Sequence, residues 1–479
     1  MLRTHDDKQI RLEFVSIEEL VPQDHLLRKI ERVVDFSFIR EKVKDLYCAD
    51  NGRPAVDPVI LFKMLFLGYL FGVRSERQLV REIQVNVAYR WFLGFGLTDK
   101  IPDASTFSQN RRRRFNESRI YQEIFDEIVL RAMQRKWISG RVLYTDSTHL
   151  KANANKNRFT KEVVAVSTRS YLTELEAAIS TDREEHGKKP LPVKEQDVPT
   201  KEIKVSTTDP ESGFMVRDGK PTGFFYLDHR SVDSRHNLIT DTFVTPANVH
   251  DSVPYLERLD RQRERFGFDV EAVGLDAGYM SAPICRGLEQ REIYGVIAYR
   301  RPTHKEGMLR KRHFIYDAQN DCYRCPAGQT LAYRTTTREG YREYASDRRQ
   351  CQNCPLLSQC TRSANRTKIV TRHVWEESRE RIAAHRLTAT GRAIYRRRKE
   401  TVERSFADAK QLHGHRYARM RGQLRVLEQC LLAAVCQNLK KMALLHEREE
   451  NGDQKGLWRA FFDAIRNLIA GPESLWVTP

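Results

Sequence analysis

The chain has 479 residues, and its 82 Lys and Arg against 64 Asp and Glu give a formal net charge of +18. This length exceeds that of one ordinary domain, and the positive charge favours a polyanionic partner, nucleic acid ahead of a membrane surface. Residues 1 to 13 lack the pattern of a secretory signal, and the most apolar run, Val59 to Gly72, is too short for a membrane span. We therefore expect a cytoplasmic protein of several domains, associated with nucleic acid and not with a membrane.

Residues 15 to 135 are predicted to form an all-helical domain. Asp57 and Ser75 have the residue types and neighbours of N-caps, and they precede two helices, Val59 to Phe71 and Glu76 to Val85. The short turn between these helices gives the pair helix-turn-helix proportions, which suit DNA binding. A plain helical hairpin explains the same pattern.

A third helix is predicted after Asp103 and carries four consecutive arginines, Arg111, Arg112, Arg113 and Arg114. Successive helical residues point in different directions around the axis, so the positive charge surrounds this helix. Such a helix suits contact with phosphates more than the reading of base edges.

The periodicity changes to that of strands after Gly140. An apolar run at Val142 to Tyr144 predicts a strand that ends at Asp146, and the run Val270 to Leu275 predicts another that ends at Asp276. Two more predicted strands, Phe224 to Leu227 and Leu238 to Val244, and an amphipathic helix, Val253 to Phe266, lie between these two strands in the chain. A further strand, Tyr294 to Tyr299, follows them. This order predicts an α/β domain over residues 138 to 445, with helices packed on a mixed sheet.

Two segments are expected to lie outside this core. Residues 158 to 222 are rich in charged residues, and Lys188 to Thr208 lacks apolar periodicity, which predicts a mobile insertion or a charged linker. Residues 446 to 479 are predicted to contain a polar linker and an amphipathic helix, Leu457 to Ala470, that docks on the core or on another protomer.

One long helix is predicted from Thr388 to about His413. Its spacing places Val402, Phe406 and Ala409 on a buried stripe, and it places Glu403 among cations on an adjacent face, with Arg396, Lys399 and Lys410. A carboxylate there can hold a metal ion while the cations bind phosphates. The alternative is a simple intrahelical ion pair between Lys399 and Glu403.

Two aspartates at strand ends and a glutamate on a late helix, in a basic chain, form a set that suits phosphodiester chemistry. Asp146, Asp276 and Glu403 are the candidate ligands of two magnesium or manganese ions, which activate an attacking water or 3′-hydroxyl and stabilise the leaving oxygen. Asp233 and Asp251 are the acids that would replace a member of this set if one of the three were misassigned.

Five of the nine cysteines lie between positions 322 and 360, within a segment predicted as an insertion over residues 315 to 370. Cys322 and Cys325 form one Cys-x-x-Cys pair, Cys351 and Cys354 form a second, and Cys360 follows. This spacing is typical of a tetrahedral structural zinc site. Four ligands suffice, so either Cys360 or Cys322 is spare; an iron–sulfur cluster and reduced, metal-free cysteines are the alternatives.

At its acidic motifs the sequence resembles the DDE transposases of bacterial insertion sequences, and it looks like insertion sequence family eleven-eighty-two. The resemblance covers about residues 15 to 445. The matching segments are Pro22-Gln-Asp-His-Leu-Leu-Arg28, Tyr144-Thr-Asp-Ser-Thr148, Ala247-Asn-Val-His-Asp251, Leu275-Asp-Ala-Gly-Tyr279 and Val402-Glu-Arg-Ser-Phe406.

This resemblance implies a ribonuclease H-like catalytic core in which Asp146, Asp276 and Glu403 bind the metal ions. It also implies a Tyr, Arg, Glu, Lys signature, for which Tyr395, Arg398, Glu403 and Lys410 are the candidates. Four residues separate Arg398 from Glu403 where the family has three, so Lys399 is the alternative to Arg398. For the zinc site, the resemblance favours the set Cys325, Cys351, Cys354 and Cys360.

The activity implied is binding of terminal inverted repeats, metal-dependent cleavage of double-stranded DNA and transfer of the freed 3′ end to target DNA. Two ends must be paired, so a homodimer or a larger oligomer is expected. Two other functions remain open: a nuclease that uses the same acids but stops at hydrolysis, and a zinc-containing DNA-binding regulator without catalysis.

Overall fold

The computed structural model describes residues 14–48, 55–116, 118–165, 172–192, 200–217, 219, 221–299 and 306–450. Within these ranges no helix is both long enough and apolar enough to cross a lipid bilayer. The predicted C-terminal helix Leu457 to Ala470 lies outside the described residues.

The part of the chain before the first strand folds into helices. Two of their starts follow the sequence closely, since the Asp57 side chain accepts a hydrogen bond from the Val59 N–H and Ser75 accepts one from the Gln78 N–H. The elements are α1 (Ile17–Leu20), α2 (Leu26–Val33), α3 (Phe38–Val43), a 3-10 helix (Lys44–Leu46), α4 (Pro58–Leu70), α5 (Glu76–Val85), α6 (Val87–Leu93), α7 (Ser105–Arg113) and α8 (Ile120–Gln134).

A mixed sheet follows, in which β5 and β1 are the central antiparallel pair. The strand order is β4-β5-β1-β7-β8, with β6 also paired to β5; β1, β7 and β8 are parallel to one another. The elements in chain order are β1 (Val142–Lys151), β2 (Phe159–Ala165), α9 (Leu172–Glu185), β3 (Thr200–Ser206), β4 (Gly213–Met215), β5 (Gly223–Asp233), β6 (Ile239–Pro246), α10 (Tyr255–Phe266), β7 (Ala272–Leu275), a 3-10 helix (Ala277–Tyr279), α11 (Ala282–Gln290) and β8 (Tyr294–Ile297).

The cysteine-rich segment contains a second, antiparallel sheet of order β13-β12-β11-β10-β9. Its small core is built from aromatic side chains, among them Tyr323 and Tyr344. The elements are a 3-10 helix (Lys311–His313), β9 (Ile315–Asp317), β10 (Cys322–Arg324), β11 (Thr330–Thr336), β12 (Tyr341–Ser346), α12 (Arg348–Cys351), α13 (Leu357–Cys360) and β13 (Ile369–His373).

The last helices close the structure around the mixed sheet. They are α14 (Glu376–His385), α15 (Ala389–Arg396), a 3-10 helix (Arg397–Lys399), α16 (Val402–Leu412) and α17 (Gln423–Glu450). Helix α17 is buried along most of its length and contacts α2, α4, α8 and β6. It therefore joins the N-terminal helices and the mixed sheet into one apolar core. This helix was not predicted, and it extends beyond residue 446, where a linker was expected.

Two predictions of local structure were wrong. The charged segment 158 to 222 contains β2, α9, β3 and β4 within its described residues, because long-range partners replace the missing apolar pattern: Asp182 of α9 pairs with Arg342 of the second sheet. The predicted single helix from Thr388 to His413 is interrupted between α15 and α16, where Thr401 has φ −103° and ψ −98°.

Candidate active site

Asp146 and Asp276 lie on neighbouring parallel strands. Tyr144 of β1 is paired with Gly274 of β7, and each aspartate follows its paired residue by two positions. Side chains two residues apart in extended backbone point to the same face, so the two carboxylates leave the sheet side by side. A Cβ at Gly274 would lie 2.6 Å from Cδ1 of Tyr144, which explains why glycine stands at this close approach of the strands.

The prediction that β1 ends at Asp146 was wrong, because its pairing with β5 continues beyond this residue. The parallel pairing with β7 stops at Tyr144, but the antiparallel pairing with β5 continues past Asp146, which is opposite Arg230, to Lys151. Asp146 thus lies in mid-strand. Asp276 does follow the end of β7, where its side chain accepts a 2.7 Å hydrogen bond from the Gly278 N–H.

Glu403 is in the first turn of α16, and buried contacts hold this helix against the sheet. The Arg397 side chain donates a 2.7 Å hydrogen bond to the carbonyl oxygen of Ser234, at the end of β5. Arg230 of β5 contacts Ser405 of α16 at 3.3 Å. Val402 and Phe406 are buried, as predicted, whereas the Glu403 side chain is 47% exposed.

Arg398 brings the three predicted acids together. Its guanidinium group donates a 2.5 Å hydrogen bond to Asp146 and lies 3.7 Å from a carboxylate oxygen of Glu403. Burial lowers the pKa of Arg398, but Asp146, Asp276 and Glu403 all raise it, and the net shift is upward. Arg398 therefore contacts the acids of β1 and α16, and the strand register places the Asp276 carboxylate beside that of Asp146.

The protonation of Asp146 reflects this crowding. Burial raises the pKa of Asp146 to about 6, Asp276 and Asp251 add to the rise, and Arg398 opposes it. Asp251, weighed as a replacement for one of the three acids, instead lies beside them. Asp233, the other alternative, accepts a 2.8 Å hydrogen bond from the Gly140 N–H and is fully buried, which gives it a structural role at the start of β1.

The hydroxyl of Tyr279 is a further polar group at this site, and it was not predicted from the sequence. The Tyr279 side chain is fully buried, and its hydroxyl has no hydrogen-bond partner among the described residues. Its pKa is raised by burial and by the nearby Asp146, Asp251 and Asp276 carboxylates. The sequence offered one signal, the position of Tyr279 three residues after Asp276. The direction in which the Tyr279 side chain points, however, depends on the 3-10 turn between them.

The predicted DNA-binding cations fall into two groups. Arg396, Lys399, Arg112 and Arg113 are exposed, and Lys410 is half-buried. The other three are buried or partly buried against named side chains: Arg398 contacts Asp146 and Glu403, Arg111 pairs with Glu76 at 2.8 Å, and Arg114 lies 4.5 Å from the Tyr47 ring centroid. Arg398 and Lys399 are the two candidates for the Arg position of the signature, and of these Lys399 is the exposed one.

Four of the five clustered cysteines surround one small apolar cavity in the second sheet: Cys325, Cys351, Cys354 and Cys360. Burial raises the pKa of the Cys360 thiol, and the other three cysteines contribute to that rise. Cys322 lies on β10 and has Asp317, Arg324 and Asp321 as its charged neighbours instead. The Gln329 N–H donates to Sγ of Cys325 at 3.3 Å.

A separate buried cluster joins Asp228, His415 and Cys430, whose potential ligand atoms lie within 4.8 Å of one another. Asp228 already accepts hydrogen bonds from Arg230 at 2.9 Å and from His415 at 2.8 Å. Arg230 supplies the positive charge that a metal ion would bring. The cluster therefore fits a structural ion pair and not a metal site.

Two segments of the chain match known protein families. Residues 15–113 match the family described as "Transposase domain (DUF772)", and residues 324–443 match the family described as "Transposase DDE domain". Both families are transposase domains. The second match includes Arg398, Glu403 and the four grouped cysteines, whereas Asp146 and Asp276 lie outside both matches.

The comparison with solved structures gives two distant similarities to transposases. One is the piggyBac transposase synaptic complex with hairpin DNA, at 9% identity over 93% of this chain and 79% of that chain, with a TM-score of 0.37. The other is the Mos1 mariner paired end complex with Mn, at 14% identity over 54% of this chain and 64% of that chain, with a TM-score of 0.16. No curated protein matches the chain.

Proposed function

We propose that the protein is a DDE transposase of the insertion-sequence type, with a ribonuclease H-like core, which binds terminal inverted repeats, cleaves DNA and transfers the freed 3′ end. The observation that carries this proposal is the meeting of Asp146 and Glu403 at Arg398, which lies 2.5 Å from the first carboxylate and 3.7 Å from the second. The two transposase-domain matches support it. So does the position of two acids on adjacent parallel strands.

The residues at this site fit divalent magnesium or manganese. Three carboxylates offer hard oxygen ligands, one Asp251 carboxylate oxygen has no hydrogen-bond partner among the described residues, and Glu403 is open to solvent. Bound ions would supply an activated oxygen nucleophile and stabilise the leaving oxygen. The carboxylates of the three acids would hold these ions, and Arg398 fixes the spacing of Asp146 and Glu403.

The exposed cations near the acids would contact the DNA backbone. Arg396 and Lys399 flank the segment that carries Arg398, and Arg112 and Arg113 lie on α7. Such contacts position DNA without reading its sequence. We assign recognition of the inverted repeats to the helical domain, with the α4–α5 pair as its candidate reader, and we expect a homodimer or larger assembly to pair two ends.

The decisive experiment is cleavage of the DNA that borders the protein's own reading frame, with magnesium or manganese present. Asp146→Asn, Asp276→Asn and Glu403→Gln are each expected to lose more than the roughly 10- to 100-fold that removal of a supporting partner costs. Glu400→Gln is the matched control, because Glu400 is exposed and three residues before Glu403. Unchanged cleavage in all three variants would reject the site.

The same assay separates transposition from the two other functions. Products that contain target DNA joined to a 3′ end indicate strand transfer, whereas cleavage without joined products indicates a nuclease. A DNA-binding regulator would bind the ends equally well as wild type and as Asp146→Asn, and neither protein would cleave them.

We also propose that Cys325, Cys351, Cys354 and Cys360 bind a structural zinc ion. Their grouping around one cavity, with Cys322 on a different side of β10, supports this set over the alternative that includes Cys322. The second sheet has only a small apolar core, so an ion would add stability to it.

A further inference from the structure

Tyr417 is an exposed aromatic ring with two cations near it. Tyr417 lies in the segment that follows α16, and the residue is 46% exposed. The Arg74 guanidinium lies 5.3 Å from the ring centroid, and the Lys151 ammonium lies 5.9 Å from it. Arg74 comes from the turn between α4 and α5, and Lys151 ends β1. Three separate parts of the chain therefore meet at this ring.

The backbone of Tyr417 is fixed in place, although its ring is exposed. The Lys151 N–H donates to the carbonyl oxygen of Arg416 at 3.2 Å, and the Ala418 N–H donates to that of Lys151 at 2.8 Å, so the segment extends the sheet beside β1. The Gln429 side chain donates to the Tyr417 carbonyl oxygen at 3.0 Å. A ring held by such contacts loses little entropy when a ligand stacks on it.

Two open clefts lie next to this ring or its cations, and arginines and lysines outnumber acids in the lining of each. The cleft of about 710 Å³ includes Tyr417 itself, with Lys151, Arg158 and Arg421. The cleft of about 750 Å³ lies between the N-terminal helices and the segment after α16, and its arginines are Arg74, Arg77, Arg81, Arg111 and Arg419. Arg74 and Lys151, which flank the ring, each line one cleft.

The larger cleft has features that suit an anion. Arg419, which lines it, donates through Nη1 to the carbonyl oxygen of Val73 at 3.2 Å. Its guanidinium lies 4.1 Å from the Tyr69 ring centroid, which holds it in position. Ser75 and Ser105, at the starts of α5 and α7, also line this cleft, so two helix N-termini add positive potential.

We propose that Tyr417 stacks on an unpaired nucleotide of bound DNA, while the phosphates on either side of that nucleotide lie in the two cationic clefts. Aromatic rings in a cationic groove bind single strands in this way, because every base has a stacking face. Inside a duplex both faces of each base are covered by the neighbouring base pairs, whereas an unpaired nucleotide can turn a free face to the ring. The inference rests on the proposed function only in taking DNA as the ligand.

The distance to the acids fits this arrangement. Lys151 is five residues beyond Asp146 on the same strand, which corresponds to roughly 16 Å at about 3.3 Å per residue. A nucleotide on Tyr417 would therefore be a few nucleotides from the reacting phosphodiester. An unpaired segment so close to a cleavage point is expected when a DNA end is opened or frayed for cutting.

The test is a fluorescence titration without divalent metal, so that binding is measured and cleavage is not. The probes are a short duplex with an unpaired 3′ tail, carrying 2-aminopurine at the first unpaired position, and a blunt duplex of the same sequence. Wild-type protein is expected to quench the 2-aminopurine and to bind the tailed duplex more tightly by about tenfold. Tyr417→Ala should lose both effects and keep its affinity for the blunt duplex.

Two further variants make the result specific. Tyr417→Phe keeps the ring and should behave like wild type, whereas the unchanged affinity of Tyr417→Ala for the blunt duplex shows that the alanine variant is folded. Tyr341→Ala removes an equally exposed tyrosine, 42% exposed on β12, and should also behave like wild type. Unchanged quenching and tail preference in Tyr417→Ala would overturn the inference.

The outcomes also separate this inference from the proposed function. A wild-type protein that cleaves DNA but shows no Tyr417-dependent tail binding would reject the inference alone. A protein that binds the tailed duplex through Tyr417 but never cleaves would reject the proposed function and leave the stacking site standing. Failure to bind either duplex would reject both.

Discussion

Arg398 donates a 2.5 Å hydrogen bond to Asp146, although 252 positions separate the two residues in the chain. The side chains are 5% and 20% exposed, so each neutralises a charge that water reaches poorly. This pair fixes where the segment before α16 meets β1, and therefore where Glu403 lies relative to Asp146 and Asp276. Loss of this pair is therefore expected to have measurable consequences.

Arg398→Met is expected to destabilise the metal-free protein by about 3 kcal/mol, because it leaves the Asp146 carboxylate without its cation. Manganese should restore part of this loss by binding the unpaired carboxylates. Thermal unfolding with and without manganese measures both effects. Arg404→Met is the control, since Arg404 is 69% exposed and pairs with Asp408. An equal manganese effect in wild type and Arg398→Met would contradict the prediction.

Cys360→Ser and Cys322→Ser are expected to differ in zinc content. The first variant loses one of the four grouped thiols and should retain little zinc after purification, whereas the second should retain one zinc ion per chain, as wild type does. Elemental analysis of the purified proteins measures this. Chelation should lower the unfolding temperature of wild type and of Cys322→Ser, and should leave Cys360→Ser unchanged. Loss of zinc only from Cys322→Ser would show that the other ligand set is correct.

Gly274→Ala is expected to impair cleavage without touching any ligand. Its added Cβ would meet the Tyr144 ring at 2.6 Å, so β7 must shift away from β1 where their register aligns Asp146 with Asp276. Overpacking of this kind costs about 1–3 kcal/mol. Thermal unfolding and cleavage of the same DNA ends measure both consequences. Wild-type values for both would show that the strands tolerate the extra atom and that their close approach is not required.

Glu428 on α17 is expected to make stability depend on pH. Its side chain is 5% exposed, and burial raises its pKa from 4.5 to about 7, although Arg425 and Arg111 oppose the shift. The folded protein therefore holds this proton more tightly than the unfolded chain does. The resulting stability is fully present below pH 4.5 and is lost as the pH rises through about 7.

Glu428→Gln removes this titration. Its unfolding temperature should change less than that of wild type between pH 4.5 and 7, because the amide stays neutral throughout. Glu400→Gln, at an exposed position, should follow the wild-type curve. Identical pH curves for wild type and Glu428→Gln would show that Arg425 and Arg111 keep Glu428 ionised in the folded protein.

The sequence was most informative where local signals act alone. Asp57 and Ser75 cap helices, Val402 and Phe406 form a buried stripe, and the order of strands and helices around the mixed sheet follows from apolar periodicity. It failed where distant contacts decide. The break between α15 and α16 was not predicted, because it forms where Arg397 donates to Ser234, just after β5, and Arg398 donates to Asp146 on β1.

The sequence by itself determined which residue types are available: three acids in order, two cysteine pairs with a fifth thiol, and an excess of positive charge. Only the tertiary structure decided that Arg398 contacts Asp146 and Glu403, that Cys322 lies apart from the four cysteines around one cavity, and that Tyr417 lies near Arg74 and Lys151. Periodicity specifies which face of a helix or strand is buried. Strand register and helix packing determine which faces meet, and both depend on contacts between residues far apart in the chain.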